Sequence, residues 1–258
     1  MFEIVEISSG GTVLQGRLHL TTSPCVSQPA LVVVLTGDSP SGTKSKTWPP
    51  MIERFLSHGL SVFALDFHGQ GFSGGSRRGL TLSVGRQNVL DAYAVLASKK
   101  TLEEYRIGFL GSSFGAAVLL SAYATLPKCD AIAFKSPASF LVESYEREHG
   151  FGTGMDEWRD TGVSVRTGLA YRAYLDAIRH NLYADAMNIS CPVMIVHGDA
   201  DEIVPIAQSR RLLHLLHRHA SMVELPGVGH DYKSPEAQQD LQEHICAFFE
   251  NVLLPPCQ

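Results

Sequence analysis

The sequence lacks a long basic run, and its 21 Lys and Arg residues are outnumbered by 26 Asp and Glu, which gives a formal charge of −5. This balance argues against a nucleic-acid partner, because binding to phosphates needs a basic surface. No apolar segment has the length of a membrane span, and the first twenty residues lack the basic region of a signal peptide. We therefore expect a cytoplasmic location with no membrane span, whereas the oligomeric state is left open.

Cysteine is scarce, odd in number and without C-x-x-C spacing. These features argue against a disulfide framework or a zinc site and favour idle thiols in a reducing cytosol. The five cysteines are Cys25, Cys129, Cys191, Cys246 and Cys257.

What the sequence does contain is a series of short apolar runs that alternate with helical patterns. Runs that are apolar on both faces indicate strands buried under helices on each side. The runs span residues 4–7, 13–20, 30–36, 60–67, 106–110, 131–134, 193–197 and 221–225. Helical spacing of apolar residues marks 86–98 and 234–252. The alternation predicts an α/β fold with a mostly parallel, eight-stranded sheet between helices.

One stretch, at about residues 137–190, interrupts this alternation and has no strand pattern. It is too long for a bare loop, so we predict a small helical cap inserted into a single domain that spans residues 1–258.

Two glycine-rich segments at strand ends resemble nucleotide-binding loops. Gly37–Ser45 approaches the phosphate-binding loop pattern, but Thr43 separates the second glycine from the lysine. Gly69–Gly74 reads G-x-G-x-x-G, but no helix begins directly after it and no strand-end acid follows at the required distance. Neither segment therefore predicts a nucleotide site.

A third strand end carries Gly-Ser-Ser113-Phe-Gly before an apolar helical segment. This is G-x-S-x-G between a strand and a helix, the context in which the serine is a nucleophile on a sharp turn. The alternative reading is a glycine-serine turn that only begins a helix.

A serine hydroxyl needs a base, and the base needs an orienting acid. Asp201 follows the strand at 193–197, with Asp199 and Glu202 as weaker rivals. His230 lies in a glycine-rich loop after the strand at 221–225. Five other histidines are expected to pack or to face solvent without binding a metal: His68, His197, His214, His217 and His219.

These segments together resemble the α/β-hydrolase superfamily, in particular its compact serine esterase and thioesterase branch with a short cap. The resemblance covers nearly the whole chain and includes the turn Asp-x-x-Gly-x-Gly-x-Ser at residues 66–73. It implies Ser113 as nucleophile, Asp201 as acid and His230 as base, with no metal or organic cofactor.

The resemblance also implies an oxyanion hole formed by the backbone N–H groups of Phe114 and Asp38. Relatives usually have His-Gly where this sequence has Thr36-Gly37, and a carboxylate at residue 38 is unusual beside a developing negative charge. The expected activity is hydrolysis of small-molecule carboxylic esters. An acyl thioesterase or acyltransferase is the alternative, and a ligand-binding receptor or scaffold is the non-enzyme alternative. Candidate substrate-binding residues in the cap are Phe140, Tyr145, Met155 and Trp158.

Overall fold

The computed structural model describes residues 2–21, 28–216 and 219–254. In this part of the chain, eight strands form one sheet in the spatial order β1-β2-β4-β3-β5-β6-β7-β8. The strands are β1 Glu3–Ser9, β2 Thr12–His19, β3 Ala30–Leu35, β4 Ser61–Leu65, β5 Arg106–Ser112, β6 Ala131–Lys135, β7 Val193–Gly198 and β8 Ala220–Leu225. β2 pairs antiparallel with β1 and β4, and the other neighbouring pairs are parallel. The predicted mostly parallel, eight-stranded sheet is confirmed.

Helices cover both faces of the sheet. They are α1 Trp48–Ser57, α2 Leu82–Ala97, α3 Phe114–Ala122, α4 Leu141–His149, α5 Thr153–Thr161, α6 Arg172–Ala177, α7 Leu182–Ala186, α8 Ile206–Leu216 and α9 Pro235–Leu253. Because side chains alternate along a strand, Leu31 and Val33 of β3 face α2 and α3, whereas Val32 and Val34 face α1 and α9. This two-sided burial is why the strands read as continuous apolar runs.

Local hydrogen bonds explain where the two predicted helices begin. Thr81 Oγ1 accepts the Val84 N–H at 3.2 Å, so α2 begins four residues before its apolar stripe is evident. Ser234 Oγ accepts the Ala237 N–H at 3.1 Å, with Pro235 at the first position of α9. None of the helices in the described ranges has the length and hydrophobicity needed for a bilayer span.

Four short helices, α4 to α7, occupy the segment between β6 and β7, which the structure describes throughout. Trp158 is the centre of this cap: it is 1% exposed, stacks on His149 with ring centroids 4.1 Å apart, and donates to Leu169 O at 3.0 Å. The cap therefore has its own small aromatic core.

The two segments that resemble nucleotide-binding loops pack together around one buried carboxylate. Asp66 accepts hydrogen bonds from the Thr43 N–H at 2.6 Å, the Thr43 hydroxyl at 3.0 Å and the Phe72 N–H at 3.0 Å. A Cβ at Gly71 would lie 2.2 Å from Asp66 Oδ2, so this turn requires glycine. Thr43, the residue that breaks the phosphate-binding pattern, thus holds the loop in place.

Three of the cysteines, Cys129, Cys191 and Cys246, have free thiols. The sulfurs of Cys129 and Cys191 lie 3.9 Å apart. Cys25, Cys257 and His217 lie outside the described residues.

Candidate active site

Ser113 occupies a sharp turn between β5 and α3. Its φ of 49° and ψ of −111° lie in a region that a side chain rarely adopts, so the backbone is strained there. The turn is tight: a Cβ at Gly115 would lie 2.3 Å from Leu35 O, and one at Gly111 would lie 2.8 Å from Ala116 Cα. Both glycines of the G-x-S-x-G motif are therefore sterically required.

Ser113, His230 and Asp201 form a continuous hydrogen-bonded series, although they come from three different strand ends. His230 Nε2 lies 3.1 Å from Ser113 Oγ, and His230 Nδ1 lies 2.7 Å from Asp201 Oδ2. The imidazole is partly open to solvent, whereas the Asp201 side chain is fully buried. The parallel strands β5, β7 and β8 bring these loops to the same edge of the sheet.

The Asp201 carboxylate is held by backbone as well as by side chains. Its Oδ1 accepts the N–H groups of Ile203 at 3.0 Å and Val204 at 2.8 Å. Burial alone would raise the pKa of Asp201, but hydrogen bonds from His197 and His230 outweigh it and hold the pKa well below its usual value. Asp201 is thus anionic at neutral pH. Its rival Asp199 is exposed and accepts the Gly227 N–H at 2.6 Å.

His197, which we expected only to pack, lies directly beside Asp201. Its Nε2 is 3.2 Å from Asp201 Oδ2 and 2.9 Å from Val204 O, and its Nδ1 is 2.6 Å from Ser209 Oγ. The side chain has no exposed surface. The sequence does carry a signal for this contact, because His197 is the one polar side chain in the apolar run MIVHG.

The two predicted oxyanion donors flank Ser113. Phe114 is the first residue of α3, and the first N–H groups of a helix have no acceptor within it. Among the described residues, the Asp38 N–H donates to no protein acceptor. A Cβ at Gly37 would lie 3.4 Å from Ser113 Cβ, so the loop at residues 36–38 passes close to Ser113. Two backbone N–H groups near Ser113 thus have no acceptor in the described part of the chain.

The profile of the prolyl oligopeptidase family matches residues 51–255, which include Ser113, Asp201 and His230. The chain belongs to the prolyl oligopeptidase family. The predicted membership of the α/β-hydrolase superfamily is thereby confirmed. The match includes neither Asp38 nor the rest of the loop at residues 36–38.

Two curated proteins of Mycobacterium tuberculosis, from strains CDC 1551 / Oshkosh and H37Rv, are 28% identical to this member of the prolyl oligopeptidase family over 175 residues. Both are described as uncharacterised. The match covers 67% of this chain and 54% of theirs, so the chain spans about half the length of the curated relatives it matches.

Solved structures share the fold across nearly the whole chain. Est1E from Butyrivibrio proteoclasticus, solved with ferulic acid, has a TM-score of 0.81 at 20% identity and covers 96% of this chain and 98% of its own. The Pyrococcus furiosus esterase Pf2001 has a TM-score of 0.76 at 18% identity, covering 98% and 93%. The Anabaena variabilis dienelactone hydrolase has a TM-score of 0.73 at 17% identity, covering 98% of each chain. These likenesses show a common α/β-hydrolase fold.

In this prolyl oligopeptidase family member, a cavity of about 190 Å³ opens at Ser113. Its walls are mainly polar, with Trp48 and Ile203 as the large apolar members. A second cavity of about 450 Å³ shares Ile203, His230 and Asp231 with the first. His230 therefore lines both cavities, whereas Ser113 lines only the first. Among the described residues, no group of three or more His, Cys, Asp or Glu is placed to hold a metal ion.

None of the four cap residues that the sequence suggested as walls lines the cavity at Ser113. Phe140 is 48% exposed, and Met155 packs half-buried against the core. Tyr145 and Trp158 pack against each other in the aromatic core of the cap, with ring centroids 5.5 Å apart. Apolar residues in a small insertion are needed to hold it together, which leaves few for the substrate.

The end of β6 supplies a buried lysine that sequence reasoning missed. Lys135 Nζ donates to His230 O at 3.0 Å and lies 4.2 Å from the centre of the Tyr232 ring. Its backbone O accepts the Ser113 N–H at 2.9 Å. Burial lowers the pKa of Lys135 to about 8, against opposing carboxylates. One residue therefore contacts both the turn at Ser113 and the loop of His230. Its only signal in the sequence is a lysine at the end of the apolar run AIAFK.

Glu148 of α4 lines the same cavity and is the basis of a pH prediction. Burial and the charge of Asp38 raise the pKa of Glu148 to about 7 from 4.5, although Arg166 opposes them. As the pH rises from 4.5 to about 7, the unfolded chain loses this proton first, so the free energy of unfolding falls. We expect Glu148→Gln to stabilise the protein above pH 7 by at most about 3 kcal/mol, with the gain disappearing near pH 4.

Urea unfolding at pH 4, 6 and 8 measures this effect, with exposed Glu157→Gln on the same cap as control. A stability difference between Glu148→Gln and the parent that stays constant from pH 4 to 8 would contradict the prediction.

Proposed function

We propose that this protein is a serine hydrolase that cleaves carboxylic esters of compact acyl groups by two-step acyl transfer. The observation that carries the proposal is the series of hydrogen bonds from Asp201 through His230 to Ser113, at 2.7 Å and 3.1 Å. Membership of the prolyl oligopeptidase family supports the hydrolase class.

In the first step, Ser113 Oγ attacks the ester carbonyl while His230 Nε2 takes its proton. Asp201 holds the Nδ1–H of the imidazole and stabilises the positive charge that develops on the ring. The N–H groups of Phe114 and Asp38 stabilise the oxyanion. His230 then protonates the leaving alcohol, and in the second step it activates the water that releases the acyl group.

The cavity supports a compact acyl group. A volume of about 190 Å³ with mainly polar walls offers little apolar surface to a long alkyl chain. The leaving group, which must lie beside His230 to receive its proton, extends into the cavity of about 450 Å³ on the other side of that residue. We therefore expect esters with short acyl groups and larger alcohols to be preferred.

A second candidate function is cleavage of amide or peptide bonds. It is favoured by the description of the family that residues 51–255 match. The same series of groups serves both reactions, since His230 protonates an amine in place of an alcohol.

The test combines active-site labelling with a substrate panel. A fluorescent fluorophosphonate should label the protein at a single serine, and Ser112→Ala, a buried neighbour in β5, should still label. Acetyl, butyryl, octanoyl and lauroyl p-nitrophenyl esters, the matching thioesters and p-nitroanilides then rank the substrates. We expect kcat/KM to fall as the acyl chain lengthens.

Labelling that fails in the folded protein, together with no turnover of any member of the panel, would refute a hydrolase and favour a ligand-binding scaffold. Faster cleavage of the anilides than of the esters would favour the peptide-bond candidate, and faster cleavage of the thioesters would favour a thioesterase.

A further inference from the structure

Asp38 poses an electrostatic difficulty for the proposed mechanism. Its backbone N–H is a proposed oxyanion donor, but its carboxylate, 10% exposed, lines the same cavity. A negative charge at this position would oppose the charge that develops on the substrate oxygen, because charges interact strongly in a site shielded from water. Burial raises the pKa of Asp38, and the neighbouring Arg77 acts in the opposite direction.

Arg77 connects the oxyanion loop to the cap. It lies in a short 3-10 turn at Arg77–Gly79, and its Nη2 forms an ion pair with Asp38 Oδ1. The same guanidinium donates to Thr167 O in the cap, from Nε at 3.1 Å and from Nη2 at 3.0 Å. One side chain therefore joins the loop at residues 36–38, the segment that follows the 66–73 turn, and the cap insertion.

This ion pair is poorly arranged for stability. Within the described part of the chain, Asp38 Oδ2 and Arg77 Nη1 are buried and have no hydrogen-bond partner. A buried ion pair whose remaining polar atoms are unsatisfied does not offset the cost of removing two charges from water. The contacts instead fix the orientation of the Asp38 side chain relative to the cap, because the guanidinium of Arg77 holds both the Asp38 carboxylate and a cap carbonyl.

Gln70 also holds the loop at residues 36–38. Gln70 Nε2 donates to Gly37 O at 3.2 Å, and the Thr36 hydroxyl lies 3.1 Å from Gln70 Oε1. The backbone of residues 36–37 is thus fixed by Gln70, while the side chain of the next residue is fixed by Arg77. The orientation of the Asp38 peptide is therefore constrained at both ends.

We propose that Arg77 is a positioning residue for the oxyanion hole, which neutralises the Asp38 carboxylate and keeps the Asp38 N–H directed at the substrate oxygen. The inference rests on the proposed hydrolase function. It explains why an acidic residue is compatible with the donor position in this chain. It also links the cap to catalysis, because the same guanidinium binds Thr167.

Removal of Arg77 should affect the transition state more than substrate binding. Loss of an oxyanion donor lowers kcat about 10²- to 10³-fold in serine hydrolases. A misdirected donor beside an unpaired carboxylate should have a smaller effect of the same kind. We expect Arg77→Met to lower kcat and the rate of fluorophosphonate labelling by about 10- to 100-fold, with KM changed less than about threefold.

The test is a double-mutant cycle of Arg77→Met and Asp38→Asn, with Arg78→Met, an exposed neighbour, as the matched control. Since the asparagine carries no charge to neutralise, the double variant should be at least fivefold faster than Arg77→Met alone. Thermal unfolding reports on folding throughout. Should Arg77→Met not fold, Arg77→Lys, which keeps the charge but loses the fork, serves in its place and is expected to be slower than the parent.

Equal kcat and labelling rates for Arg77→Met and Arg78→Met would overturn the inference, as would a change confined to KM or a double variant slower than Arg77→Met. Failure of the parent protein itself to label and to turn over any ester would instead refute the proposed function. The two failures are therefore distinguishable.

Discussion

Replacement of Ser113 with alanine is expected to lower kcat for ester hydrolysis roughly 10⁵- to 10⁶-fold, because the acyl-enzyme cannot form without its Oγ. The effect should be on chemistry alone, since the Oγ makes its hydrogen bond to His230 at a site that is partly open to solvent. Hydrolysis of p-nitrophenyl acetate and fluorophosphonate labelling measure the loss.

The stability of variants at this position gives an independent check. Ser113 has a φ of 49°, so Ser113→Gly should relieve backbone strain and raise the free energy of unfolding by about 1 kcal/mol while abolishing turnover. Ser113→Ala keeps the Cβ and should leave stability nearly unchanged. Ester turnover in purified Ser113→Ala within tenfold of the parent would reject Ser113 as the nucleophile, and Ser112→Ala controls for the neighbouring hydroxyl.

Asp201→Asn is expected to lower kcat roughly 10³- to 10⁴-fold. The N–H groups of Ile203 and Val204 both point at Oδ1, at 3.0 Å and 2.8 Å, so the amide oxygen must occupy that position. The amide NH₂ then faces His230 Nδ1 and selects the tautomer with its proton on Nε2, which cannot accept from Ser113. Asp199→Asn is the matched control, since that residue is exposed and is two positions away.

The same substitution should alter the response to acid. The pKa of Asp201 lies below its unfolded value of 3.8, so its stabilising effect is complete above that pH and is lost as the pH falls through 3.8 and below. The stability difference between the parent and Asp201→Asn should therefore shrink between pH 5 and pH 2, as measured by urea unfolding. A difference that does not vary with pH, or a kcat as little affected as that of Asp199→Asn, would contradict the role assigned to Asp201.

Much of the fold and the three central positions follow from local patterns in the sequence. Strands buried on both sides are continuous apolar runs, and in a parallel sheet their carboxyl ends share one edge. Ser113, Asp201 and His230 each follow such a run, so their proximity could be anticipated although the first and the last are 117 positions apart in the chain. Their catalytic roles remain predictions that the variants above test.

The residues that sequence reasoning missed are those whose significance depends on a distant partner. Arg77 lies 39 positions from Asp38, and Lys135 lies 95 positions from His230. Nothing in their immediate neighbours marks either contact. The suggested substrate-binding residues of the cap do not line the cavity at Ser113 for a related reason: aromatic residues carry the same sequence pattern whether they face a substrate or one another. Only the packing of Trp158 against His149 decides between the two.

The wide separation of Ser113 and His230 along the chain has a consequence for biosynthesis. At about 5–20 residues per second, a ribosome needs roughly 6–23 s to extend the chain by the 117 positions from Ser113 to His230. Throughout that interval the nascent chain carries its serine without a base to activate it. Under the proposed mechanism, the Ser113 hydroxyl therefore cannot be activated during synthesis until the loop after β8 has emerged and placed His230 beside it.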